Sequence, residues 1–567
     1  MDESEAVSPV LGAERRIWLI FALLWLFGAL RLAAVWAHHP LIAYANSYDE
    51  TRYTSCFHLY PDRPPEIPPQ QNSPAAPFEY YRFIATNDPM CYWSSELVFQ
   101  GATVAIYKVA AWLGASAVHS VRWIGLLRIT ALLGLSVVFS LAWLRRGRAR
   151  NAIANAALLP LVFADPGNTL YLNTFYAEWT ALLAAYALIS LIALWRGAHA
   201  TPMRFTLLAL AGFALASSKI QHLLLPLALS IVVLIVEWVE WRRVTWRGMA
   251  LLIGGLAGLC FQFVQMQRDN AMMLAIRQYN AADVVFTGIV PFAQRPRALL
   301  ADLDIDPSCA RFRGNDAWQM PGLPDRLCAG LANFSRGKEL ILLLSHPAIA
   351  LRLAWHGVYA LDPWVASNVG HVAGEDFAQL PADMPSVGNA LHASRFLQWM
   401  LLALPFAALA MSILRRRQRT LLSEYAMLIS TLMVVTFVVT VLGDGLADTA
   451  KQGHLVTNAA LAFLLVLAVI AVLPRSLDAD AHSRNGVDSG LPLTRDQSRS
   501  DAPFARISLR QRSQRGQTKL PAPCTPSTST SNSARQMSPA SNNTPASRGA
   551  IARSAAITSG ACRGWRT

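Results

Sequence analysis

Long apolar segments recur along this chain and constrain its fold more than any other feature. The 567 residues are 54% hydrophobic and only 15% charged, with a mean hydropathy of +0.32. A helix needs about 20 apolar residues to cross a bilayer, where only helices and closed barrels can span. The candidate spans are 17–37, 124–144, 151–164, 175–195, 205–217, 222–239, 248–266, 397–414, 424–442 and 455–473. We therefore predict an all-α polytopic membrane protein with about ten transmembrane helices, of which 151–164 and 205–217 are short for a full span.

Arginine clusters in alternate loops predict the orientation of these spans. The clusters are Arg15–Arg16, RRGRAR at 145–150, Arg196 with Arg204, Arg242–Arg243 with Arg247, and RRRQR at 415–419. Short basic loops stay on the cytoplasmic side, so both termini are predicted to be cytoplasmic in an inner (plasma) membrane. The net charge of +14 then follows from topology and the tail, which argues against a nucleic-acid partner.

Changes in composition divide the chain into five parts. We predict a cytoplasmic N-terminus (1–16), a transmembrane module (17–266) with a first outside loop (38–120), an outside domain (267–395), C-terminal transmembrane helices (396–475) and a disordered cytoplasmic tail (476–567). The outside domain carries helical patterns near 271–283, 335–344 and 347–360, and the tail is rich in Ser, Thr, Pro and Arg.

The two outside segments contain features of their own. Residues 97–114 are predicted to form an amphipathic helix along the membrane face, an additional span being the alternative. Cys56 and Cys91 share the first loop, and Cys309 and Cys328 share the second. Each pair could form a disulfide in an oxidising compartment, or the two cysteines could lie in one segment by chance.

An acidic pair, Asp49–Glu50, follows the first span at about a dozen residues. This distance keeps the carboxylates near the membrane surface, where a base could act on a lipid-borne substrate. Tyr48 and Tyr53 flank the pair. The alternative is that these are two ordinary loop acids.

A second polar cluster lies in the turn between two spans, in the segment FADPGNTLYLNTFYAEW at 163–179. Asp165, Asn173, Tyr176 and Glu178 are its candidate acceptor-binding or cation-binding residues. A carboxylate such as Glu178 at a span boundary costs free energy unless it is paired or functional. Helix capping by Asp165 and Asn173 is the alternative interpretation.

Cations occupy two further turns on the predicted outside face. Lys219 and His222 interrupt apolar sequence between spans, and Lys451 and His454 lie in the segment GDGLADTAKQGHLVTN at 443–458. Such groups could bind a phosphate, although turns between spans also need ordinary polar residues.

No metal-binding, nucleotide-binding or serine-hydrolase motif occurs in the sequence. The sequence therefore indicates no specific cofactor, although two separated acids could together hold a divalent cation.

The acid placement and span pattern resemble the GT-C superfamily of polytopic membrane glycosyltransferases. That superfamily places a catalytic acid soon after span one, then membrane-parallel helices, then a second acidic turn between spans three and four. Here the matching features are YDE at 48–50, the helix at 97–114 and the turn from Asp165 to Glu178, within roughly 15–475. The chain is most similar to bacterial hexosyltransferases of surface-glycan synthesis, and more distantly to protein O-mannosyltransferases, whose large β-trefoil insert it lacks.

The resemblance implies transfer of a hexose from a polyprenyl-phosphate donor to a glycan or lipid-linked acceptor on the non-cytoplasmic face. Asp49 would be the general base, with Glu50 as the alternative, and Lys219, His222, Lys451 and His454 would bind the donor phosphate. The spans at 205–266 would hold the prenyl chain. A transporter or flippase of a lipid-linked intermediate is the main alternative, and an assembly protein is another.

Overall fold

Helices dominate this computed structural model, which describes residues 8–68, 76–87, 90–268, 271–361, 372, 384–386, 390, 393–414, 420–474 and 476–479. The first half contains α1 Ser8–Ala37, α2 Ser47–Thr54, β1 Leu59–Pro61, β2 Tyr80–Phe83, α3 Leu97–Trp112, β3 His119–Ser120, α4 Arg122–Arg145, α5 Ala149–Leu158, α6 Pro166–Thr169, α7 Glu178–Leu194, α8 Pro202–Ser218, α9 Leu225–Trp241 and α10 Trp246–Gln267. The second half contains α11 Ala271–Asp283, α12 Pro296–Asp302, α13 Pro324–Leu327, α14 Arg336–Ser345, α15 Pro347–Ala360, α16 Arg395–Leu414, α17 Leu421–Asp444, α18 Thr449–Gln452, α19 His454–Val472 and α20 Ser476–Ala479.

Seven helices of the described chain are long and apolar enough to cross a membrane: α1, α4, α9, α10, α16, α17 and α19. An eighth span results if α14 and α15, which bend by 107° at their junction, are counted as one. The prediction of an all-α polytopic membrane protein is confirmed. Three of the ten predicted spans instead correspond to shorter apolar helices: α5 with its extension, α7 and α8.

Local sequence explains why two of these helices are short. Pro160 interrupts α5, whose last turn widens into a π-helical segment, Leu159–Phe163, because proline cannot donate an intrahelical hydrogen bond. α7 begins only at Glu178, because residues 170–177 form a buried non-helical segment before it.

Helices α8, α9 and α10 pack closely through small residues. A Cβ atom on Gly254 would lie 2.1 Å from the carbonyl oxygen of Ala209, and one on Gly258 would lie 2.3 Å from the Cβ of Ala216. Such close approach is typical of membrane helices that pack without large side chains between them.

Within the first outside loop, the part that precedes α3 folds against α3 and α4. β2 pairs antiparallel with β1 (Tyr60 opposite Arg82) and with β3 (Tyr81 opposite His119), giving a three-stranded sheet that the sequence did not predict. The Cys56–Cys91 disulfide closes this loop. The helix predicted at 97–114 is present as α3.

The segment after α10 is helical where predicted, because α11, α14 and α15 fall at 271–283, 335–344 and 347–360. Its core includes Phe286, Leu300 and the Cys309–Cys328 disulfide. Val441 of α17 packs against this core. The segment is therefore attached to the helix that ends at the candidate site.

The predicted disordered tail begins with the short helix α20, which is a local departure from the sequence prediction. Asp478 accepts a hydrogen bond from Arg150 Nε at 2.6 Å. The rest of the predicted tail (480–567) and the basic loop at 415–419 lie outside the described residues.

Candidate functional site

A polar cavity lies at the end of the helix bundle where the two long connections meet, and we call it the site cavity. It encloses about 840 Å³, part of it open to solvent. Its lining residues are Asn46, Tyr48, Asp49, Arg52, Tyr53, Tyr92, Lys219, Ile220, Gln221, Ile276, Tyr279, Asn280, Asp283, Trp318, Asp444, Ala447, Asp448, Lys451 and Gln452. Segments far apart in sequence thus contribute to one polar pocket.

Asp49 is held in the first turn of α2. Asn46 caps this helix, and its side-chain oxygen accepts hydrogen bonds from the backbone N–H groups of Tyr48 and Asp49 at 3.1 and 3.2 Å. One carboxylate oxygen of Asp49 accepts from Arg52, and the other accepts from Lys451 Nζ. The predicted base is therefore placed between two cations.

These charges dominate the electrostatics of the cavity. Burial by itself would raise the pKa of Asp49, but Arg52 and Lys451 outweigh it and hold that pKa well below its usual range. Lys451 also contacts Asp448 at 3.2 Å. Burial raises the pKa of Asp448 to about 7, against the opposing charge of Lys451. Asp49 is thus ionised at neutral pH, while Asp448 titrates near pH 7.

Lys219 connects the site cavity to the acidic turn. Its Nζ donates to Glu178 Oε1 at 2.6 Å and to Gln452 Oε1 at 3.0 Å. Glu178 is 1% exposed, and a charge this deeply buried needs such a partner. The structure therefore brings together Lys219 and Glu178, which the sequence placed in separate clusters.

The two predicted histidines lie next to each other behind this pair. The rings of His222 and His454 are 6.2 Å apart, centroid to centroid. His222 Nδ1 lies 2.9 Å from Ser218 Oγ, and His454 Nδ1 lies 3.0 Å from the carbonyl oxygen of Lys451. Among the described residues, His454 Nε2 has no hydrogen-bond partner.

A buried arginine shapes the segment that precedes Glu178. Arg128 of α4 donates to four backbone carbonyls, those of Tyr171, Leu172, Thr174 and Tyr176. It also forms an ion pair with Glu96 at 2.7 Å. The planar guanidinium thereby satisfies carbonyls that no helix uses. This segment places the Tyr176 ring 5.3 Å from Lys451 Nζ.

Seven of the ten predicted site residues do not line the site cavity: Glu50, Asp165, Asn173, Tyr176, Glu178, His222 and His454. Glu50 accepts from Tyr81 Oη at 2.6 Å and from the backbone N–H of Phe175 at 3.1 Å, which ties the sheet to the buried segment. Burial raises the pKa of Glu50 to about 7, against these two hydrogen bonds. Asp165 caps α6 and accepts from Ser386 Oγ, and Asn173 Nδ2 lies 3.5 Å from the Val35 carbonyl.

Sequence reasoning missed several residues of the cavity. Arg52 lies one helical turn after Asp49, a spacing that could have indicated the pair. Asp444 and Asp448 were visible in the cationic segment but received no role. Nothing in the sequence indicated Asp283 and Trp318, because their position in the cavity depends on the fold of the segment after α10.

The described residues contain no group of three or more His, Cys, Asp or Glu side chains arranged to hold a metal ion. Asp165 and Glu178, the predicted cation-binding acids, have separate partners in Ser386 and Lys219. The expectation of a divalent cation therefore gains no support from their contacts.

An apolar cavity of about 1000 Å³, part of it open to the outside, lies between α4, α5, α7, α17 and α19. Leu455 and Asn458, which line one end, follow His454 in α19, and Ile470 lines the other end. The fifteen helical rises from Leu455 to Ile470 span roughly 22 Å, most of a bilayer core. In the range 205–266, where the sequence predicted a groove, α8 and α10 are closely packed. A further cavity in this range lies at the turn between α9 and α10 and includes Glu237, Trp241 and Arg247 in its lining.

Comparisons with known proteins give one family. A family model described as the YfdI N-terminal transmembrane domain matches residues 39–489, which include every residue of the site cavity. This family is a GT-C-like glycosyltransferase family. A comparison with curated proteins found no match.

Proposed function

The chain belongs to the family of the YfdI N-terminal transmembrane domain, and from this membership we propose the reaction that its site cavity carries out. The protein transfers a hexose from a polyprenyl-phosphate donor to a glycan or lipid-linked acceptor. The site cavity faces the periplasmic or extracellular side of an inner (plasma) membrane, and both termini are cytoplasmic. The observation that carries the proposal is the contact of Asp49 with Lys451 in a polar cavity beside membrane helices.

The reaction is an inverting displacement at the anomeric carbon. The acceptor oxygen forms a bond to that carbon, and the bond between the carbon and the donor phosphate oxygen breaks. The electron pair leaves on the lipid phosphate, and the acceptor proton passes to the Asp49 carboxylate. Atoms and charge therefore balance without a further reactant.

Donor binding gives a physical route to an active base. Lys451 contacts Asp49 in the site cavity, and an incoming phosphate competes for the same ammonium group. As Lys451 turns toward the phosphate, Asp49 loses a stabilising charge and its proton affinity rises. Lys219 lines the same cavity and binds the same phosphate, and Glu178 keeps Lys219 in position. His222 and His454 lie behind this pair.

The apolar cavity supplies a place for the prenyl chain. Its end near Leu455 and Asn458 lies within about one helical turn of His454 along α19. A lipid headgroup near the histidines could thus place its chain between α5, α7 and α19. This proposal replaces the groove expected from residues 205–266.

The test of the reaction is sugar transfer in membranes from a radiolabelled polyprenyl-phosphate hexose pool. Asp49→Asn should lower the rate by about a hundredfold or more, because general base catalysis contributes on that order. Glu178→Gln should also lower it by weakening the hold on Lys219. Asp62→Asn is the matched control, since Asp62 lies in the same loop and pairs with Arg82 outside the cavity.

Two outcomes would contradict this proposal. Full activity of Asp49→Asn at matched protein levels would remove Asp49 from the reaction. Absence of transfer by the wild type across several donors, with movement of the lipid-linked sugar between leaflets, would favour the transporter alternative.

A further inference from the structure

One wall of the site cavity is aromatic and has no role in the reaction described above. Tyr279 of α11 and Trp318 stack with ring centroids 4.6 Å apart and an interplanar angle of 29°. Tyr48 meets Trp318 edge-on at 5.6 Å. We call Tyr279 and Trp318 the aromatic shelf. Trp318 remains 52% exposed, so a large apolar ring faces a cavity lined by charged groups.

The shelf is fixed in place by its backbone. Asp316 caps the short 3₁₀ turn Ala317–Gln319 and accepts from the Trp318 N–H at 3.0 Å. Asp283, at the end of α11, accepts from the Ala317 N–H at 2.7 Å. Because Tyr279 lies one turn earlier in α11, both rings are held by the same helix end. A rigid surface loses little conformational entropy on binding a ligand.

Two side-chain amides face the same cavity. Asn280 and Gln221 both line the site cavity, and Gln221 is 9% exposed. Each amide offers two N–H donors and one carbonyl acceptor. Because both side chains line the cavity, a ligand with hydroxyl groups can exchange hydrogen bonds with their amides there.

These features match the chemistry of a sugar ring. A pyranose presents a face of C–H bonds, which suits the negatively charged face of an aromatic ring, and hydroxyl groups around its edge, which suit amides. The donor phosphate would bind the cations on the bundle side, whereas the shelf belongs to the segment after α10. We propose that the aromatic shelf, with Asn280 and Gln221, binds a sugar ring of the acceptor saccharide, which rests on the proposed transferase function.

Direct binding provides a test that does not depend on transfer. The labelled full-length protein in detergent is applied to an array of bacterial surface oligosaccharides. The wild type should bind a subset, and Trp318→Ala should weaken binding to those members by about tenfold. Trp318→Phe should retain most of the binding, because a ring remains. Trp112→Ala is the matched control, since Trp112 is 84% exposed in α3 and does not line the cavity.

Kinetics separate the shelf from the donor site. In the transfer assay, Trp318→Ala should raise KM for the acceptor by about tenfold and leave KM for the donor unchanged. A rise in the donor KM alone, or binding and acceptor KM equal to wild type, would overturn the assignment. So would the absence of array binding by the wild type. Binding that depends on Trp318 without any transfer would support the shelf and reject only the proposed reaction.

Discussion

At the scale of single residues, buried charges decide how the site is built. Asp49, Glu178 and Glu96 each have a cationic partner, namely Lys451, Lys219 and Arg128. Neighbouring acids in sequence nevertheless differ in role, because Asp49 lines the site cavity while Glu50 turns toward Tyr81. The acid pair was visible in the sequence. The direction of each carboxylate follows from which cations and donors the fold brings near.

Arg128 should be essential for the segment that leads to Glu178. Arg128→Ala leaves Glu96 as an unpaired buried charge, and we expect a loss of about 3–5 kcal/mol in the free energy of unfolding. Arg128→Lys keeps the charge but cannot reach four carbonyls with a planar group, so it should also destabilise. Thermal unfolding in detergent measures both. Arg145→Lys, at an exposed position of the same helix, should match wild type, and an equally stable Arg128→Lys would contradict the argument.

Glu50 should make stability depend on pH. Burial raises its pKa to about 7, compared with about 4.3 in an unfolded chain. The folded state therefore binds this proton more tightly than the unfolded chain does. The stabilisation is complete below the unfolded pKa and is lost as the pH rises from that value through the folded pKa.

Glu50→Gln removes that titration. Its thermal midpoint should rise relative to wild type between about pH 5 and about pH 8, on top of a constant loss from one changed hydrogen bond. Glu66→Gln, at an exposed position in the same loop, is the control. Its thermal midpoint should change with pH in parallel with that of wild type. If the thermal midpoints of Glu50→Gln and wild type changed with pH in parallel, this carboxyl would not control the pH dependence of stability.

At the scale of elements, interruptions in the helices create the site. Pro160 ends α5 early and Glu178 starts α7 late, so a non-helical segment can lie beside the site cavity. Such backbone is tolerated at membrane depth only where protein buries it, and Arg128 provides its hydrogen bonds. Glycines bring α8 and α10 together, whereas α5, α7 and α19 leave an apolar cavity between them.

Filling this cavity should interfere with long donors. Ala459 of α19 lines it, and Ala459→Phe adds a ring where the prenyl chain would lie. We expect KM to rise by about tenfold for a long-chain donor and much less for a short-chain analogue. Ala407→Phe, at an exposed position of α16, is the control. Equal effects on both donors would place the chain elsewhere.

At the scale of the whole molecule, the site depends on distant parts of the chain. Asp49 and Lys451 are separated by 402 residues in sequence. The segment after α10 contributes the aromatic shelf and packs against α17 through Val441. The cavity is therefore complete only when the first loop, this segment and the last spans are folded together.

The sequence by itself determined the class of fold, most helix positions and the residues that carry charge at the span ends. It could do so because lipid requires long apolar helices and penalises unpaired charge, and both constraints act locally along the chain. Tertiary structure decided which acids and cations pair, where the apolar cavity lies and that Trp318 faces Asp49's cavity. Those features depend on contacts across hundreds of residues, which no local pattern encodes.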